Sequence, residues 1–164
     1  MRYKKIWILP VVLLVVWMSI IFGFSAQPVK ESVSLSEKVG RVVSETVVPE
    51  FRSWPEKKQN KFVKKIDFGV RKAAHFTEYA FLGMLWISFF HSILRGRYGY
   101  KKEMIFSILA SAVFAAGDEF HQLFVDGRHA KIHDVCIDTT GATVGILLIT
   151  LVVSKIVRER RKNG

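Results

Sequence analysis

The sequence predicts an all-α membrane protein, a bundle of four transmembrane helices with a long extracytoplasmic loop between the first two. Three observations carry that prediction. Half of the 164 residues are hydrophobic, and they fall into long blocks instead of spreading evenly. Each block is close to the roughly 20 residues a helix needs to cross a bilayer core. The chain is also strongly basic, with 25 Lys and Arg against 14 Asp and Glu, a formal net charge of +11. A soluble basic chain points to nucleic acid, whereas a basic chain with blockwise apolar residues points to a membrane. The abundance of Leu, Ile, Val and Phe excludes a disordered chain. The single cysteine, Cys136, excludes an intramolecular disulfide framework and a Cys-rich zinc module.

The first expected span, 6–24, is uncharged and follows Arg2, Lys4 and Lys5. A secretory signal begins the same way, but its apolar core usually runs only about 7–15 residues, so the expectation is an uncleaved anchor. The outer loop, 25–72, comes next. Within it Val39, Val42, Val43 and Val47 recur near helical spacing, which predicts a short amphipathic helix on the membrane surface. Beyond Pro49 and Pro55, lysines at 57, 58, 61, 64 and 65 suit anionic headgroups. The second span, 73–94, carries His75 and Glu78 in its first turns. The third, 104–124, has its acids in the last two turns, and the fourth, 135–157, has Asp138 in its first. The whole chain, 1–164, reads as one membrane domain.

Short basic segments set the orientation. They are the N-terminus, the connection with Arg95, Arg97, Lys101 and Lys102, and the tail with Lys155, Arg158, Arg160, Arg161 and Lys162. With four spans all three fall on one side, which the positive-inside rule makes cytoplasmic, together with both termini. The outer loop is itself rich in Lys and Arg and runs against the rule; the three short segments are given the greater weight.

Ionisable groups at membrane depth are costly and mark functional sites by default. In this topology they gather at one outer rim. Ser25 and Gln27 follow the first span, and Arg71, His75 and Glu78 open the second. Asp118, Glu119, His121 and Gln122 close the third, Arg128 follows, and Asp134 and Asp138 open the fourth. Arg71, His75, Glu78 and Leu82 form one helical stripe, as do Asp134, Asp138, Gly141 and Gly145. Asp118, His121 and Gln122 share a face, from which Glu119 points about 100° away. A transporter would need polar groups along the whole path, whereas the inner halves of these spans read as apolar.

Three chemistries fit this set. The residues can form a structural network of ion pairs, with Arg71 and Arg128 paired to acids. They can recognise an anionic ligand. They can also supply acid–base catalysis or hold a divalent metal, since carboxylate and imidazole are the usual donors. No His-Glu-x-x-His spacing occurs, so the metal signal is weak, no cofactor is expected, and no catalytic motif marks an enzyme. Gly141-x-x-x-Gly145 is expected to let two helices approach closely.

Several of these residues form motifs: Ser25-Ala-Gln27, Arg71-Lys-Ala-Ala-His75-Phe-Thr-Glu78-Tyr79 with Leu82-Gly83, Asp118-Glu119-Phe-His121-Gln122-Leu-Phe124, Gly127-Arg128, and Asp134 to Asp138-Thr-x-Gly141. In this order, over 25–148, the chain resembles the VanZ-like integral membrane family. The resemblance implies a bacterial cytoplasmic membrane protein of the cell envelope. It also implies a connection with low-level resistance to the glycopeptide teicoplanin, with which the family's namesake is associated. It implies no particular reaction. The expectation is a polar pocket open to the cell-wall side that binds a lipid-linked wall intermediate, another anionic envelope ligand or a glycopeptide. Arg71 and Arg128 would hold an anionic group. Glu78, Asp118 and Asp138 would accept hydrogen bonds or orient His75 and His121, and Ser25 and Gln27 would close the pocket. Membrane lipids are the other expected partner, and nucleic acid is not one. The alternatives are a membrane-embedded hydrolase or transferase acting on a lipid or wall intermediate, and a purely structural accessory protein.

Overall fold

The computed structural model describes residues 7–94 and 97–162, the side chain of Arg161 excepted. Arg2, Lys4, Lys5, Arg95 and the first residue of the expected 6–24 span lie outside the described residues. Five α-helices are present among them: α1 (Ile8–Ser25), α2 (Val29–Val47), α3 (Glu56–Leu94), α4 (Tyr100–Gln122) and α5 (Ile132–Lys162). A short 3-10 turn, Phe51–Ser53, joins α2 to α3.

Among the described residues three helices are long and apolar enough to cross a membrane: Ile8–Ser25, Tyr100–Gln122 and Ile132–Arg160. No more than 28% of any of these stretches is buried within the protein. Leu9, Val113 and Leu151 stand exposed along them. Such outward apolar surface is the reverse of a soluble bundle. The expected second span, 73–94, does not stand among the three. It is the C-terminal part of α3, where His75, Glu78 and His91 dilute the apolar residues.

The expected outer loop is also corrected: most of 25–72 is helical. Pro28 fixes the turn into α2, and Pro49 follows its end. From Glu56 onward the lysines are good helix formers, and Phe62, Val63, Ile66 and Val70 recur at helical spacing. Nothing breaks the helix before Leu94. With 39 residues α3 is about 58 Å long, nearly twice the roughly 30 Å hydrocarbon core.

α2 turns back along the N-terminal half of α3. Gly40 packs near Val63, Ile66 and Val70, while Ser36 donates a hydrogen bond to Asp67. At the hairpin end Phe51, Trp54 and Phe62 form an aromatic cluster, and Arg41 donates to Gln59 at 2.8 Å and to Asn60. The face of α2 turned to the protein is small and polar (Ser36, Gly40, Ser44), whereas Leu35, Val39, Val42, Val43 and Val47 are exposed. An amphipathic helix is therefore present where expected, with its apolar side turned away from α3.

The C-terminal half of α3 packs against α1, α4 and, most extensively, α5. It lies close against α5 because three glycines remove the side chains that would separate the two backbones. A Cβ on Gly141 would overlap the carbonyl oxygen of Phe76, one on Gly145 that of Ala80, and one on Gly83 that of Ala142. The close approach expected of Gly141-x-x-x-Gly145 is thus realised within the chain. Leu14, Ile21, Tyr79, Leu82, Ala115 and Ala142 form the apolar core, and the Trp17 indole N–H donates to the Glu78 carbonyl at 2.9 Å.

The buried face of α4 corrects another expectation. Glu103, Ser107 and Ser111, far from the rim, are completely buried, with Ser107 and Ser111 donating to carbonyls one turn back. Glu103 lies 2.9 Å from His91 Nδ1. The inner halves are therefore not uniformly apolar, since a polar residue every four positions can line one face of an otherwise apolar helix.

Candidate functional site

The C-terminal ends of α1 and α4, the N-terminal end of α5 and the middle of α3 meet at one end of the bundle. Ser25, the last residue of α1, donates its hydroxyl to Asp118 Oδ2 at 2.6 Å. Gln122, one turn beyond Asp118, reaches the same oxygen at 3.4 Å and Ser25 Oγ at 3.3 Å. The Tyr79 hydroxyl, fully buried on α3, approaches Asp118 Oδ2 at 3.5 Å. All four are buried, and the second carboxyl oxygen of Asp118 has no hydrogen-bond partner among the described residues.

The turn between α4 and α5 extends this knot outward. Gly127 sits at φ +73, a conformation in which other L-residues are strained, and it aims the next residue back at α1. Arg128 donates Nε to the Gln27 carbonyl at 2.9 Å, Nη2 to the Phe24 carbonyl at 3.2 Å and Nη1 to Gln122 Oε1 at 3.3 Å. All three acceptors are neutral, and no carboxylate among the described residues forms an ion pair with it. Burial lowers its pKa from the ordinary value, nearby Asp118 acts in the opposite direction, and a guanidinium stays charged regardless.

Beside this turn lies a polar cavity of about 250 Å³. Arg71, Lys72, His75, Glu119, Gln122, Arg128, Asp134 and Asp138 line it, with Val29 and Ser32 of α2. Arg71 pairs with Asp67 on its own helix at 2.9 Å, and Lys72 pairs with Asp134 at 2.5 Å. Asp138 is almost fully buried. Against expectation Glu119 also turns inward, because the 123–131 turn wraps that side of α4; it accepts the Lys131 backbone N–H at 2.9 Å. His75 Nδ1 stands 3.8 Å from Glu78 Oε2, beyond hydrogen-bond reach, and has no hydrogen bond among the described residues.

A second cavity, about 600 Å³ and mainly apolar, opens between α1, α2 and α3. Gln27 and Glu78 line this one, while Arg71, His75 and Arg128 line both. Of the expected residues, Ser25 and Asp118 belong to the knot, and His121 joins neither cavity. Its ring stacks on Phe22 at 4.2 Å, and Nε2 has no hydrogen bond among the described residues. Among the described residues no three His, Cys, Asp or Glu side chains converge as metal ligands.

Asp67, Lys72, Tyr79 and the α2 residues escaped the sequence reading of the site. Tyr79 had a usable signal, one turn beyond His75 on the same stripe. Lys72 and Asp67 had none, because within an assumed loop their lysine-rich surroundings read as solvated charge.

No curated protein and no solved structure matches the chain. A family model described as VanZ/LLP1 does match, over residues 10–153. That stretch reaches all five helices and contains every residue lining the two cavities at this end of the bundle. The resemblance carried by the sequence motifs is thereby established: the chain belongs to the VanZ/LLP1 family.

Proposed function

We propose that this is a four-span protein of the bacterial cytoplasmic membrane that binds an anionic, lipid-linked envelope ligand at its outer rim. The observation that carries this reading is Arg128, a half-buried cation whose three hydrogen bonds all go to neutral acceptors, at the edge of a polar cavity. A guanidinium oriented on three sides by neutral groups, with no ion pair among the described residues, suits an anion. The fourth span is the C-terminal half of α3. It packs against all three apolar helices, so a membrane holding those three would enclose it as well. Its N-terminal half, with α2, then projects beyond the bilayer on the ligand side. Both termini and the basic 95–102 connection face the cytoplasm.

The orientation predicts labelling. In a Cys136→Ser background, Val47→Cys on the exposed side of α2 reacts with a membrane-impermeant maleimide in intact cells. Reaction only after permeabilisation places the rim inside and refutes the reading.

The ligand-binding role predicts an envelope phenotype, for which glycopeptide susceptibility is the first readout. A strain expressing the chain is expected to be less susceptible to teicoplanin than one without it. Glu78→Gln and Asp118→Asn, at equal membrane abundance, are expected to lose the protection. If protection falls only in step with abundance, the polar cluster is structural. Absence of protection by the unaltered chain ends the antibiotic part of the proposal. One observation favours a second reading, a hydrolase or transferase: His75 lines both cavities, and its Nδ1 has no hydrogen bond among the described residues, which leaves the imidazole free to exchange a proton with a ligand. Turnover of a lipid phosphoester by purified protein, abolished by His75→Gln, would select it.

A further inference from the structure

The two cavities at the rim share a wall, and their characters differ. Arg71, His75 and Arg128 stand at the junction. Toward α5 the space is charged and about 250 Å³; toward α1 and α2 it is apolar and about 600 Å³. The small residues Ala73, Ala74 and Thr77 open part of the groove's α3 floor. Leu35 and Val39 of α2 form one wall, Trp17 and Phe24 of α1 the other. α2 contributes those apolar residues because it turns Ser36, Gly40 and Ser44 to α3. A helix that packs its small polar face and leaves its apolar face over a groove is suited to an apolar occupant. The groove's cations, Arg71 and Arg128, stand where it meets the polar cavity, and the Glu78 carboxyl lines its α3 side.

We infer that the two cavities are one bipartite site for a long-chain lipid phosphate. The phosphate lies in the polar cavity against Arg128 and Arg71, and the chain lies in the groove between α1, α2 and α3. The inference rests on the anionic-ligand reading above and adds the phosphate and the path of the chain. Phosphate suits the junction because its several oxygens can accept from the N–H groups that Arg128 and Arg71 keep beyond their bonds to Gln27, Gln122, Phe24 and Asp67. The chain gains by leaving the polar rim for surface contributed by Leu35, Val39, Trp17 and Phe24.

The test uses the purified full chain in phosphatidylcholine nanodiscs and hexadecyl phosphate bearing a photoreactive diazirine at the chain end. Crosslinks are expected on the 35–43 segment and at Phe81, which also lines the groove. Unlabelled hexadecyl phosphate competes, whereas hexadecanol, lacking the charge, and butyl phosphate, lacking the chain, are each weaker by roughly tenfold or more. Ala74→Trp and Val39→Trp fill the groove from two sides, so a folding defect in one leaves the other as the test. Each is expected to weaken hexadecyl phosphate roughly tenfold and leave butyl phosphate unchanged. Arg128→Lys is expected to weaken both phosphates. If hexadecanol competes as well as hexadecyl phosphate, the groove holds ordinary bilayer lipid and the inference is overturned. If Arg128→Lys weakens both phosphates while the tryptophan variants change nothing, the headgroup reading stands and the chain path fails. If Arg128→Lys changes neither phosphate, the headgroup reading itself fails.

Discussion

Replacing Gly145 by leucine is expected to destabilise the protein by about 3 kcal/mol or more, at the upper end of overpacking effects. Gly145 lies on α5 where α3 passes closest, and even a bare Cβ would overlap the Ala80 carbonyl oxygen. That neighbour is backbone, so no rotamer change relieves the contact and the helices must separate. Separation also strips the similar contacts at Gly141 and Gly83. Between membrane helices, where lipid competes on equal terms for apolar surface, such close packing is a main source of association. Gly117 of α4 provides the control, because nothing lies within 4 Å of a Cβ built there. Gly117→Ala should be neutral or gain up to about 1 kcal/mol from helix propensity. Thermal unfolding in detergent, followed by fluorescence-detected size exclusion, separates the two. A Gly145→Leu protein that melts with the parent would refute the packing account.

Asp118→Leu should be comparably damaging, whereas Asp118→Asn should leave the fold nearly intact. The carboxyl oxygen Oδ2 accepts from Ser25 at 2.6 Å, and Gln122 and Tyr79 approach it at 3.4 and 3.5 Å. Leucine removes that acceptor and strands buried hydroxyl and amide donors, at about 1–3 kcal/mol for each one left unsatisfied. The Ser25 bond is the shortest of the three and dominates the loss. Asparagine keeps an oxygen of the same reach and should cost only about 1 kcal/mol, mainly from placing an amide where Oδ1 has no partner. The contrast makes Asp118→Asn useful in the susceptibility experiment, since it changes charge without removing the knot. A melting temperature for Asp118→Leu within a degree of the parent would show that the knot contributes little to stability.

Much of this architecture is legible in the sequence. Three apolar blocks of spanning length became α1, α4 and α5 with boundaries shifted by a few residues. The spacing of Asp118 and Gln122 placed both on one face, and the Gly141–Gly145 pair marked a close contact. The 25–72 segment was misread because lysine-rich stretches look the same whether solvated coil or the exposed side of a helix. Its apolar residues, Phe62, Val63, Ile66 and Val70, were the signal for continuity into α3.

Partner choice is what the sequence does not encode. Spacing predicts neighbours three or four residues apart on one helix, and it correctly grouped each stripe. It is silent on contacts between residues 60 to 100 positions apart. Only the packing of α1, α3, α4 and α5 joined Ser25 to Asp118 and Lys72 to Asp134 and left Arg128 held by neutral carbonyls, while the 123–131 turn enclosed Glu119. The apolar groove is likewise a product of assembly, because it exists between helices and belongs to none of them. Composition and periodicity determined which faces must avoid water; the close approach of backbones permitted by Gly83, Gly141 and Gly145 decided which of those faces meet.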